Sequence, residues 1–85
     1  MSDLQTLFAQ AQKDVNLLAR RPDNDTLLKL YALFKQATEG DATGEPPNVF
    51  DFVRKAKFEA WSAMKGTTAQ DAMQKYVELV KALRN

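Results

Sequence analysis

Apolar residues recur at intervals of three and four along most of the chain, and this spacing divides it into four segments. Leu4, Leu7, Phe8, Ala11, Val15 and Leu18 mark a helix with one buried stripe over about residues 3–18. Ser2 and Gln5 read as a capping box at its start. Arg20-Arg21-Pro22 close it, because the residue before a proline is pushed away from helical geometry and cations favour a helix C-terminus. Asp23, Asn24 and Asp25 supply N-caps for a second helix with the stripe Leu27, Leu30, Tyr31, Phe34 and Ala37. Leu28 and Leu33 widen that stripe, so this helix is expected to pack on two sides.

Gly40 fits the left-handed position that closes a helix, and Gly44, Pro46 and Pro47 keep helical structure from resuming at once. Residues 40–50 are therefore a connection, and a long one beside the ~2 to 8 residues usual between neighbouring helices of a bundle. It predicts a crossover to a distant neighbour. A short third helix covers about residues 51–63, with Asp51 near its start and Gly66 beyond its end. Thr68 and Asp71 form a capping pair for a fourth, whose inner stripe is Ala69, Ala72, Met73, Tyr76, Val80 and Leu83. No segment alternates like a strand. The expected fold is all-α, a four-helix bundle that is not simply up, down, up, down.

With 85 residues the chain is expected to form a single domain, residues 1–85, with little interior to spare. It has neither cysteine nor histidine, which removes disulfides, thiolate and imidazole catalysis, and ordinary zinc sites. Twelve Lys and Arg against eleven Asp and Glu leave a net charge of +1, too balanced for a nucleic-acid coat or a polybasic membrane surface. Any anion site must be local. The N-terminal residues lack a basic start followed by an apolar run, and no stretch reaches the ~18 apolar residues of a membrane span. A cytoplasmic, soluble protein is expected.

Three groups of residues carry candidate chemistry. Tyr31 and Lys35 lie four apart on the second helix, so an ammonium and a hydroxyl share one face beside Phe34 and can both point at one phosphate. Arg54, Lys57 and Trp61 share a face of the third helix, a basic and aromatic surface able to cradle a nucleotide. Tyr76 stands on the inner stripe of the fourth, where its phenol needs a polar partner. Each group read alone also has an ordinary explanation: core aromatics, a snorkelling lysine, a solvated basic face, and Trp61 as packing.

Taken in order, Tyr31, Lys35-Gln36-Ala37, Gly40-Asp41, Lys55-Ala56-Lys57-Phe58-Glu59-Ala60-Trp61 and Tyr76 closely resemble the acyl-CoA-binding protein family. The resemblance runs from about Phe8 to the C-terminal segment. It implies an up-down-down-up bundle with a long overhand connection between the second and third helices. It also implies that Tyr31, Lys35, Lys57 and Tyr76 hold the 3'-phosphate region of coenzyme A, with Phe34 as the flat surface beneath adenine. Base stacking on an aromatic ring is worth ~1 to 3 kcal/mol and tolerates Phe in place of Tyr. Phe34 and Phe58 depart from the tyrosine and tryptophan frequent in the family. Asn16 stands where a basic residue is common, which leaves Arg21 as the additional charge contact. Gln12 replaces a frequent alanine and is expected to narrow or rim the groove. The acyl chain is assigned to Phe8, Ala11, Leu27, Leu28 and Phe58, each of which has a packing explanation too.

The expected function is that of an intracellular carrier which binds medium- to long-chain fatty acyl-CoA thioesters reversibly and makes or breaks no bond. No cofactor and no metal is expected; the partners are the acyl-CoA ligand and, behind it, lipid enzymes that use acyl-CoA, and the protein is expected to be a monomer. The rival reading is a small helical protein-interaction module whose basic aromatic face docks an acidic partner. A thioesterase is a third, poorly supported by residues that include no obvious nucleophile pair.

Overall fold

A computed structural model of the chain describes residues 3–84. It contains four helices, α1 (Leu4–Val15), α2 (Asn24–Glu39), α3 (Phe52–Ser62) and α4 (Ala69–Arg84), and no strand among the described residues. Side-chain caps start all four. Asp3, Asp23 and Asp51 accept hydrogen bonds from the backbone N–H groups of Thr6, Thr26 and Arg54, and the Thr68 hydroxyl accepts from Asp71 N–H. Asp3 therefore takes the role expected of Ser2, which lies outside the described residues.

α1 stops at Val15, three residues short of the expected Leu18. Asn16 ends it: its side-chain amide donates back to the Gln12 carbonyl at 3.2 Å, a local bond that competes with continuing the helix. The chain then turns at Leu17, whose N–H donates to Asp14 O. Gly40 has the expected positive φ of 79°, but with ψ of −152° it is extended rather than left-handed helical, a conformation open essentially only to glycine.

The relative directions of the helices follow from which ends meet. The first turns of α1 and α4 share one surface depression, while Asp14 near the end of α1 bridges to Arg84 at the end of α4, 3.3 Å away, so these two run parallel. Phe8 meets Phe34, and Val15 lies beside Leu27 and Leu30, which makes α2 antiparallel to α1. Leu27 and Leu28 face Phe52 and Val53, and Trp61 donates its indole N–H to the Gly40 carbonyl at 2.7 Å, so α3 runs parallel to α2. The order is up-down-down-up. The long connection does not lead to a distant neighbour as expected: α3 packs directly on α2, and the length is needed because a parallel successor requires the chain to travel back along the whole of α2, roughly 24 Å for 16 residues.

Phe8 and Ala11 of α1, Leu30, Leu33 and Ala37 of α2, and Ala72, Tyr76 and Val80 of α4 form the buried core. α2 contacts α4 on one side and α3 on the other, as its wide stripe predicts. α3 contributes no buried residue. It is held instead by polar ties. Gln36, fully buried in α2, donates from its amide nitrogen to Asp41 (2.7 Å) and to the Thr67 carbonyl (2.8 Å), and Asp41 accepts from Gly66 N–H (3.0 Å). These bonds join the end of α2, the start of the connection and the α3–α4 turn. Ala69 and Leu7, expected on inner stripes, are exposed at helix beginnings.

Candidate ligand-binding cleft

Tyr31 sits at the junction of three adjoining clefts. The first, about 500 Å³, lies between α1, residues 20–22, α2 and α4, and is walled by Val15, Leu30, Phe34 and Tyr76 with Arg20 and Arg21 at its rim. A second, about 640 Å³, runs between α2 and α3, with Leu27, Leu28, Phe52, Val53 and Ala56 as an apolar lining and Arg21 and Lys57 beside them. The third, about 270 Å³, is bounded by Tyr31, Pro47, Arg54, Lys57, Phe58 and Trp61. One half-buried phenol thus belongs to an apolar trough, a basic aromatic recess and a mouth against α4.

The two lysines stand beside these walls. Lys57 Nζ lies 5.2 Å from the centre of the Tyr31 ring, and Lys35 Nζ lies 4.9 Å from that of Trp61. An ammonium over an aromatic face gains ~0.5 to 1 kcal/mol at a solvated site, enough to bias where it rests without fixing it. Lys35 is also paired with the Glu39 carboxylate one turn on, which holds its pKa above the usual lysine range. Lys57 has no ion-pair partner among the described residues. Its charge is available.

Tyr76 is buried, its ring edge-on to Phe8 with centroids 5.1 Å apart, and it lines the first cleft. Burial pushes its phenol pKa up, so the group stays a neutral hydroxyl donor across the physiological range. Phe34 is half-buried, tilted against Phe8 at 6.1 Å, with its other side on the same cleft. Phe58 stands edge-on to Trp61.

The structure therefore brings Tyr31, Phe34, Tyr76 and Arg21 to one cleft, Leu27, Leu28, Arg21 and Lys57 to the next, and Lys57 and Phe58 to the third, with Lys35 adjoining through the Trp61 ring. Phe8 and Ala11 are core residues and line none of the three. Gln12 does not rim them either, because its amide donates back to the Phe8 carbonyl at 3.4 Å. Trp61 is both fastener and wall rather than simple packing.

Sequence reasoning passed over Phe52, Val53 and Ala56 as lining, and Gln36 as the central polar tie. Both had a signal. Val49-Phe50-Asp51-Phe52-Val53 holds more apolar residues than one buried stripe can use, and Gln36 shares a face with Ala32 and Leu33, where a polar side chain must find partners.

The domain is flat and all-α, and its apolar trough ends in a basic aromatic recess. Residues 5–80 match the sequence model of the family described as "Acyl CoA binding protein", and the chain belongs to that family. It is 50% identical over 76 residues to Acyl-CoA-binding protein homolog 1 of Caenorhabditis elegans, covering 89% of this chain and 88% of that protein. The crystal structure of Oryza sativa Acyl-CoA-Binding Protein 2 superposes with a TM-score of 0.89 at 35% identity, over 94% of this chain and 87% of that one. Enoyl-CoA delta isomerase 2 of Rattus norvegicus is also 50% identical over 76 residues. The chain spans only 19% of that longer protein.

Proposed function

We propose that the chain is a reversible carrier of medium- to long-chain fatty acyl-CoA thioesters, acting in the cytosol without catalysing a reaction on them. The observation that carries this reading is the continuity at Tyr31 between the apolar α2–α3 trough and the recess holding Lys57, Trp61 and Arg54. In this reading Lys57 and Lys35 meet the 3'-phosphate, the hydroxyls of Tyr31 and Tyr76 donate to the nucleotide end, Phe34 underlies the adenine, and the trough takes the tail. Buried methylenes contribute ~0.8 kcal/mol each, so the tail dominates affinity while the head decides which amphiphile is accepted. The isomerase activity named for the longer relative is not carried over, since the matched part is a fifth of that protein.

Isothermal titration with palmitoyl-CoA tests the proposal. Saturation at one ligand per chain, with affinity rising with acyl length and free palmitate rejected, is the expected result. Absence of saturation would favour a protein-interaction module. Stoichiometric protection of the thioester, rather than continuing thiol release, separates a carrier from a thioesterase.

A further inference from the structure

The free protein already holds an anion against one of its two candidate phosphate cations. Lys35 is bonded to Glu39 on the same face of α2, its Nζ resting over Trp61, while Lys57, which lines the recess bounded by that same ring, has no carboxylate partner among the described residues. We propose that Glu39 is an internal competitor for the ligand phosphate, which lowers the affinity for 3'-phosphorylated CoA esters and keeps the complex readily reversible. This inference rests on the carrier reading above.

The physical argument is one of exchange. Lys35 extends from α2 toward Trp61 of α3 and is flanked along its own helix by Tyr31 and Glu39. A phosphate dianion entering the recess must share or take the ammonium from a carboxylate, and the displaced carboxylate then remains as a like charge near the ligand. The Glu39 side chain is 52% exposed, so water receives it at little cost and the exchange is feasible. An exposed pair of this spacing is weak, so the competitor tunes binding without abolishing it. An ester without the 3'-phosphate leaves the pair intact and does not feel the competition.

Four forms of the full chain are titrated calorimetrically with palmitoyl-CoA and with 3'-dephospho-palmitoyl-CoA: wild type, Glu39→Gln, Lys35→Ala, and the double variant. Glu39→Gln is expected to bind palmitoyl-CoA about two- to fivefold more tightly and to leave the affinity for the dephospho ester unchanged. On the Lys35→Ala background the gain should fall to less than half in logarithmic terms, because no ammonium is left to compete for. An unchanged Glu39→Gln affinity, an equal gain for both esters, or an undiminished gain without Lys35 would each overturn the inference while leaving the carrier intact. Failure of wild type to saturate with either ester would instead remove the carrier reading itself.

Discussion

The two sides of α2 are held by different physics. Toward α1 and α4 the helix presents Leu33 and the chain answers with Val80, both 1% exposed, in a close-packed apolar interior. Toward α3 it meets a helix with no buried residue, whose Phe52 and Val53 are 76% and 67% exposed. α3 is kept in place by directional bonds: the Trp61 indole to Gly40, and the Gln36, Asp41, Gly66 and Thr67 ties. An apolar contact would have closed the trough. Polar pins at one end hold α3 alongside α2 while leaving the apolar surface between them open. In so small a domain stability and ligand capacity draw on the same apolar residues, and this fold separates most of them by side, with Phe34 and Tyr76 the exceptions that both pack on the α1–α4 side and line a cleft there.

The largest effect expected is on the closed side. Leu33→Ala should destabilise the protein by ~2 to 5 kcal/mol, because it opens a cavity in a core with few residues to collapse into it. Thermal unfolding should show a fall in Tm of at least about 8 °C, measured with and without palmitoyl-CoA. A cost near zero would mean that this side is as loosely held as the other.

Phe52→Ala sharpens the contrast from the open side. Its stability should stay within ~0.5 kcal/mol of wild type, since an exposed ring loses little in the free protein. Its affinity for palmitoyl-CoA should weaken by ~1 to 2 kcal/mol if the tail covers the ring, with a smaller loss for a short-chain ester that does not reach it. Equal losses for both esters would place Phe52 near the head instead. A large loss of stability would erase the distinction between the sides.

Most of the closed side was legible in the sequence, whereas for the open side spacing identifies only which residues share a helix face, and the resemblance supplies their convergence. Periodicity identifies Phe8, Ala11, Leu30, Ala72, Tyr76 and Val80 as inward residues because a single stripe facing a single core is what the 3.6 period reports. The same rule misplaces the end of α1, since Leu18 keeps the period while Asn16 breaks the helix by bonding to Gln12. Periodicity has no means of telling an apolar residue that is covered from one awaiting a cover. Phe8 and Ala11, expected along the tail, accordingly belong to the core, whereas Phe52 and Val53, exposed at the start of α3, line the trough. The convergence of Tyr31 with Lys57 and Trp61 depends on α2 and α3 running parallel, which follows from the long connection only once the partner ends are known. Gln36 was hidden because its acceptors lie five and thirty-one residues away.

The smallest effect expected concerns the pins themselves. The Gly66 N–H, and after it the Gln36 amide, hold the Asp41 carboxyl below the ordinary value of about 3.9. A carboxyl whose folded pKa is depressed binds protons more readily in the unfolded chain, so its stabilisation is complete above the unfolded pKa and is lost as the pH falls through the folded one. Asp3 and Asp23, whose carboxylates cap α1 and α2, act in the same direction. Stability should therefore be flat near neutrality and decline below about pH 4. Asp41→Asn keeps an acceptor oxygen but cannot carry the charge, so it should be slightly less stable than wild type at pH 7, with the difference shrinking as the pH drops below about 4. Denaturant unfolding at a series of pH values measures that difference, and near-ultraviolet dichroism of the single tryptophan reports whether α3 loosens first. A gap that stays constant with pH would mean that Asp41 works through its shape alone, and that α3 is held by Trp61 and Gln36 without help from its charge.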